Sequence, residues 1–280
     1  MSDATDTTTT ATVTDNIFEV KNVTLRFGGV TSLNNVSLEQ RRGEILAVIG
    51  PNGAGKTSLF NCLTGVYRPQ EGIINFHAAS HGTVDIVGKP PHRISHMGVA
   101  RTFQTSRMFN ALTTFENIKI GVESGQKTGP IGAMLHLPRM RREERESDHR
   151  TLDLLELVGL SHRLNTMADS LPYGDRRRLE IARALGTNPE VLLLDEPAAG
   201  TNPSEKLALA ELIRTINKET GVSILLIEHD MRLVMSLAER IYVLNFGQVI
   251  ASGEPAEIQS NADVVAAYLG VSEDEVKTDE

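Results

Sequence analysis

Apolar and polar positions alternate along Phe18-Glu-Val-Lys-Asn-Val-Thr-Leu, as in a strand with one buried face, and ordered structure is expected to begin near Ile17. A second strand pattern covers Val36–Leu38. The runs Ile45–Ile49, Val191–Leu194 and Ile224–Ile227 are apolar almost throughout, which suits strands covered on both faces. Helical segments are expected at Ser58–Leu63, Arg176–Leu185, Ser204–Glu219 and Leu233–Glu239. This layout indicates a mostly parallel α/β core.

The middle of the chain reads differently. From about Thr114 to Asp169 strand patterns fade and charges cluster. The run Arg139 to Arg150 leads into Leu152, Leu155 and Val158, with Gly159 as the stop. An inserted helical subdomain over about residues 112–172 is expected, with the charge run as a solvated face laced by pairs such as Arg142 and Glu146. Residues 1–15 read as a polar, Thr-rich disordered tail and 271–280 as an acidic tail, leaving residues 16–270 as the folded unit.

Composition narrows the function classes. A chain of 280 residues with 40% hydrophobic and 23% charged positions suits a soluble protein of one large domain or a core with a subdomain. Its apolar runs are too short to cross a bilayer, and no basic-then-apolar leader marks it for secretion. Cys62 is the only cysteine, which excludes an internal disulfide and suits a reducing cytoplasm; it reads as a small core residue. A net charge of −8 makes a poor start for a nucleic-acid binder, so no such partner is expected. Any phosphate must be held by local geometry.

That geometry is encoded at Gly50-Pro51-Asn52-Gly53-Ala54-Gly55-Lys56-Thr57, a full phosphate-binding P-loop between a strand and a helix. Glycines let consecutive N–H groups curl toward phosphates at the positive end of the following helix, which continues through Ser58. Lys56 adds a cation, and the Thr57 hydroxyl can ligate Mg²⁺. The apolar run before Asp195 delivers that carboxylate at a strand's carboxyl end, where it can position Mg²⁺ through water. Glu196 follows, placed to polarise a water for in-line attack on a γ-phosphate.

A third segment joins these two. Leu171-Pro-Tyr-Gly174-Asp-Arg-Arg-Arg-Leu-Glu-Ile-Ala-Arg-Ala-Leu185 resembles the signature of the ATP-binding cassette (ABC) family, which usually begins Leu-Ser-Gly-Gly-Gln. Gly174 and the Ile-Ala-Arg-Ala-Leu stretch match, whereas Pro172, Tyr173 and Asp175 depart from the usual Ser, Gly and Gln. The resemblance covers roughly Ile17 to Gly270. It implies a P-loop NTPase (RecA-like) α/β core with a mostly parallel sheet, an antiparallel β subdomain and the inserted helical subdomain.

The resemblance also implies roles for single residues. Phe27 falls where the family sets an aromatic ring against adenine, the alternative being a core Phe on an edge strand. Gln104 matches the glutamine that contacts Mg²⁺ and the attacking water, the alternative being a solvated loop residue. His229 matches the switch histidine on the γ-phosphate, and Gly174 contributes a backbone donor to the facing cassette's nucleotide. Asn202 stands where the family usually has Asp, in the loop that crosses between subunits.

Glu196-Pro-Ala-Ala-Gly-Thr-Asn-Pro, the Leu-Pro-Tyr-Gly-Asp signature, Leu137-Pro-Arg and Ala267-Tyr-Leu-Gly270 are similar to the longer cassette of branched-chain amino-acid importers. Urea and amide importers share the pattern, and lipopolysaccharide-export cassettes are close to it. The function implied is ATP hydrolysis with Mg²⁺ at the cytoplasmic face of the inner membrane. The partners implied are a second cassette in a heterodimer, two permease subunits and, indirectly, a solute-binding protein. A soluble cassette ATPase acting on ribosomes or DNA, and a metabolic P-loop kinase, are the rival readings.

Overall fold

The computed structural model describes residues 15–102, 108–124 and 138–269. Most of the Thr-rich tail, the acidic tail and Gln104 lie outside those residues.

Two sheets organise the fold. The central one has six strands in the order β10-β9-β3-β8-β7-β6. These are β3 (Ile45–Ile49), β6 (Val99–Arg101), β7 (Val191–Asp195), β8 (Ser223–Ile227), β9 (Arg240–Asn245) and β10 (Gln248–Gly253). Neighbours pair in parallel from β9 through β3, β8 and β7 to β6, and β10 closes the edge antiparallel to β9. The second sheet is antiparallel, in the order β2-β1-β4-β5. Its strands are β1 (Asn16–Phe27), β2 (Val30–Arg41), β4 (Glu71–Ala78) and β5 (Gly82–Asp85).

The unbroken apolar runs follow from two cores on opposite faces of the central sheet. Ile45, Ala47, Ile49, Leu192, Leu194, Ile224 and Leu226 face one core, whose remaining residues come largely from helices. Leu46, Val48, Val191, Leu193, Leu225 and Ile227 face the other, built with the antiparallel sheet and α1 (Lys56–Leu63). Period-two side chains with both faces dry leave no polar position in the strand. Cys62 is buried in the second core, as its sequence context implied.

Helices α3 (Thr114–Ser124), α4 (Pro138–Leu157) and α5 (Tyr173–Gly186) pack on one another, with the short α2 (Pro91–His96) beside β6. A Cβ added at Gly121 of α3 would stand 2.2 Å from the Arg183 carbonyl oxygen of α5, so glycine permits this close approach. The Arg142–Glu146 pair is present at 2.8 Å on an exposed face, and Gly159, at φ +74°, follows the end of α4. Helix α6 (Pro203–Thr220) starts from a capping box in which Asn202 accepts from the Glu205 N–H and Glu205 accepts in return. Helix α7 (Met231–Leu237) is capped by Asp230 and ends two residues before the expected boundary, because Ala238 turns extended to enter β9. The short α8 (Pro255–Gln259) and α9 (Ala262–Leu269) complete the fold. No helix among the described residues is long and apolar enough to cross a membrane.

Candidate active site

Strand β3 ends at Ile49 and the chain turns at once into the Gly50–Gly55 loop that opens α1. Steric room decides the glycines. A Cβ at Gly50 would meet the Leu244 carbonyl oxygen at 2.1 Å, and one at Gly55, where φ is +101°, would meet the Ser32 carbonyl oxygen at 2.6 Å. The loop is thus pressed between β2 and the β9–β10 turn. The Gly247 N–H donates to the Ala54 carbonyl at 3.0 Å, and Ser32 and Ser58 share a hydroxyl hydrogen bond of 2.7 Å. Asn52, Gly53 and Thr57 remain exposed. The Lys56 ammonium folds over the loop, donating to the Gly50 and Pro51 carbonyls at 2.7 and 3.0 Å. Burial holds it below the usual lysine range, opposed by the Glu196 and Asp195 carboxylates.

Those acids sit at the end of β7. Strand β8 lies between β3 and β7, so the P-loop and Asp195 approach across a neighbouring strand rather than side by side. Asp195 is held by Arg101, whose guanidinium donates to its Oδ2 at 2.7 Å, to Asn61 Oδ1 at 2.7 Å and to Thr64 Oγ1 at 3.3 Å. Arg101 leaves β6, which β7 and β8 separate from the P-loop strand β3, and ties β6, β7 and α1 together at one point. Glu196 adopts φ +47°, a left-handed conformation costly for a residue with a Cβ, which the surrounding structure must hold in place. Its N–H continues the sheet ladder to the Ile227 carbonyl at 2.9 Å.

A phosphate loop, a lysine, and two acids on a parallel sheet recur in many nucleotide hydrolases; the segment at the start of α5 separates them. Pro172 is extended and Tyr173 begins the helix, leaving Gly174 in the first turn beside Glu205. The cleft here is lined by Gly174, Asp175, Thr201 and Glu205, with no P-loop residue among its walls. Asp175 has Arg163 at 3.6 Å. The family model for ABC transporters matches residues 33–199, and one for branched-chain amino acid ATP-binding cassette transporters matches residues 248–274. The chain belongs to the ABC transporter family.

Relatives agree over nearly the whole length. The chain is 48% identical over 254 residues to the high-affinity branched-chain amino acid transport ATP-binding protein LivG of Salmonella typhimurium, covering 91% of this chain and 98% of that protein. Identity to the protein of corresponding name, BraF, of Pseudomonas aeruginosa is 44% over the same shares. Among solved structures, the ADP conformation of an ATP-binding cassette of an ABC transporter aligns with TM-score 0.78 and 32% identity, covering 92% of this chain and all of that one. A nucleotide-free ATP-binding cassette aligns with TM-score 0.76 and 31% identity, covering 90% and 98%.

Within this cassette, Phe27 ends β1 with its ring 47% exposed and edge-on to Tyr67, the centroids 5.1 Å apart. It is therefore available to a ligand rather than part of the core. His229 follows β8 with its side chain 59% exposed, and its backbone N–H donates to Glu228 Oε2 at 3.1 Å. Gly174 lines a cleft that holds no P-loop residue. Arg101, Tyr67 and Glu228 were not anticipated from the chain, and Tyr173 stood out there only as a departure within the signature segment. The Tyr173 hydroxyl donates to the Ala199 carbonyl at 2.6 Å, and the buried Glu228 accepts from the Ala198 N–H at 2.8 Å. Burial pushes the Glu228 carboxyl above the usual range, opposed by the N–H groups of Ala198, His229 and Asp230.

Proposed function

We propose that this cassette hydrolyses ATP to power uptake of branched-chain amino acids through a membrane permease. The observation that carries the hydrolytic reading is the convergence of Lys56 with Asp195 and Glu196 at the ends of β3 and β7. The cargo rests on the names of the relatives and on the match over residues 248–274.

In this reading ATP stacks its base on Phe27 and its phosphates enter the Gly50–Ser58 loop. The loop N–H groups and Lys56 bind the β- and γ-phosphates, with Lys56 leaving the Gly50 and Pro51 carbonyls to do so. The Thr57 hydroxyl and the Asp195 carboxylate are oxygen donors of the kind Mg²⁺ takes, and with Gln104 they would hold it. When bound, the ion neutralises charge on the phosphates. Glu196 orients and polarises the attacking water, His229 donates to the γ-phosphate, and catalysis is positioning plus charge stabilisation.

Gly174 completes the site of a facing cassette, so two cassettes enclose two nucleotides. That second cassette is a different chain, because this chain's signature carries Pro172 and Asp175 where an unmodified one would offer a hydroxyl and an amide. The permease face is the groove between β6 and α3, where Phe109 is exposed beside Arg183. The protein then lies peripherally on the cytoplasmic side of the membrane.

The test is transport. Co-purified with its permease pair and second cassette in vesicles, this chain drives ATP-dependent accumulation of leucine, isoleucine or valine on addition of the solute-binding protein. Lys56→Ala in this chain abolishes it. Accumulation of urea or a short amide instead would overturn the cargo.

A further inference from the structure

Side chains outside the predicted catalytic set join segments that are distant in sequence. The Tyr173 hydroxyl at the start of α5 donates to the Ala199 carbonyl at 2.6 Å. Gly200, at φ +77°, makes room for that ring, since a Cβ there would stand 3.3 Å from the Tyr173 hydroxyl. One residue before Ala199, the Ala198 N–H donates to Glu228 Oε1 at 2.8 Å. The other oxygen of the same carboxylate accepts from the His229 N–H at 3.1 Å and the Asp230 N–H at 3.5 Å. A continuous chain of bonds thus runs from the signature segment, through the loop after Glu196, to the backbone of His229.

Glu228 is the link that chemistry makes expensive. Its side chain is wholly buried, and the group paired with it among the described residues is the His229 imidazole at 3.8 Å, charged only when protonated. A buried carboxylate is costly unless hydrogen bonds offset its lost hydration. Here those bonds all come from backbone N–H groups of two separate loops. Both oxygens accept, one toward each loop. A glutamine of the same size has one oxygen and keeps one side only. Asp230 adds a parallel strut, accepting at 2.6 Å from Lys206 on α6, the helix that follows the same loop.

We propose that Glu228 is a positioning residue that makes the start of the signature, the Ala198–Gly200 loop and His229 move as one body. Resting on the two-cassette reading, this means that nucleotide drawn onto Tyr173 and Gly174 by the facing cassette sets His229 in this chain's own site. The two sites are then coupled within a single polypeptide, and the departure of Tyr173 from the usual signature supplies the first bond of the coupling.

The experiment is a double-mutant cycle in the assembled transporter, read as steady-state ATPase with the partner's own hydrolysis silenced. Glu228→Gln lowers kcat about tenfold while KM for ATP stays within about twofold, because geometry rather than nucleotide affinity is lost. Tyr173→Phe, on an exposed side chain, lowers kcat about threefold, and the double variant is no slower than Glu228→Gln alone. Glu228→Asp, which keeps both acceptors at shorter reach, recovers part of kcat; should Glu228→Gln not fold, it takes that variant's place in the cycle. Unchanged kcat in a folded Glu228 variant, or losses that multiply in the double variant, overturns the proposal. Failure of the two-cassette reading shows separately, as wild-type turnover indifferent to omission of the second cassette, and that result also overturns the link between sites.

Discussion

Arg101 and Asp195 form an ion pair of 2.7 Å in which both side chains are more than nine-tenths buried, at the carboxyl end of β7. The pair neutralises a carboxylate that would otherwise sit dry at the end of β7, and it welds β6 to α1 through Asn61. Removing one partner of such a pair leaves an uncompensated charge, a loss of about 3–5 kcal/mol. Arg101→Met is expected to lower the melting temperature of the nucleotide-free protein accordingly. Mg²⁺ with ATP then raises it by more than in the wild type, because the ion supplies the missing positive charge. Equal melting temperatures for variant and wild type without nucleotide would show that the pair contributes nothing.

Phe27 offers a cleaner binding test, since its half-exposed ring carries little of the core. Phe27→Ala is expected to raise the ATP dissociation constant several-fold, matching an aromatic contact of about 1 kcal/mol. Phe27→Tyr keeps the affinity, and neither change moves the melting temperature appreciably. Fluorescent-nucleotide titration reads both, and unchanged affinity in Phe27→Ala would remove the ring from the adenine site.

The Lys206–Asp230 pair gives a pH dependence of known sign. The hydrogen bond from Lys206 holds the Asp230 carboxyl below its ordinary value of 3.8. A depressed folded-state value stabilises the fold above the unfolded value, and that stability is lost as pH falls through the folded one. Both side chains keep some solvent contact, so the pair is worth at most about 1 kcal/mol after screening. In urea denaturation Lys206→Met is therefore expected to be less stable at pH 7, with the difference closing as pH falls below 3.8. A difference constant down to pH 3 would contradict the assignment.

Cys62 reports on the opening of the second core. Burial pushes its thiol up to about 12. Alkylation at pH 8 is expected to wait on unfolding, with a rate that follows denaturant concentration. Prompt modification of the native protein would show that this core opens locally.

The central strands were legible because β3, β7 and β8 are dry on both faces, and a short unbroken apolar run such as Val191–Leu194 suits a strand in that position. Helices α5 and α6 were legible from their amphipathic spacing. Strands β4, β5, β6, β9 and β10 were not: β6 is only three residues long, and Glu71–Ala78 and Gln248–Gly253 show no strict alternation of buried and exposed positions. The P-loop and the acids after β7 announce themselves because their chemistry demands contiguous residue types. Arg101 and Glu228 carry no such local mark, since each acts across a sheet on residues 94 and 30 positions away. A buried charge can be recognised in sequence as an oddity after an apolar run, as Glu228 is after Ile227, but its partner cannot.

The account stands most directly on Glu196. In the assembled transporter, with ATP binding and steady-state hydrolysis measured on the same preparation, Glu196→Gln is expected to bind Mg²⁺-ATP as tightly as the wild type. Turnover at this chain's site falls at least about a hundredfold, the scale of a lost general base. Lys56→Ala, by contrast, loses binding itself. Hydrolysis at the wild-type rate by Glu196→Gln would contradict the assignment of the base and with it the mechanism derived from this site.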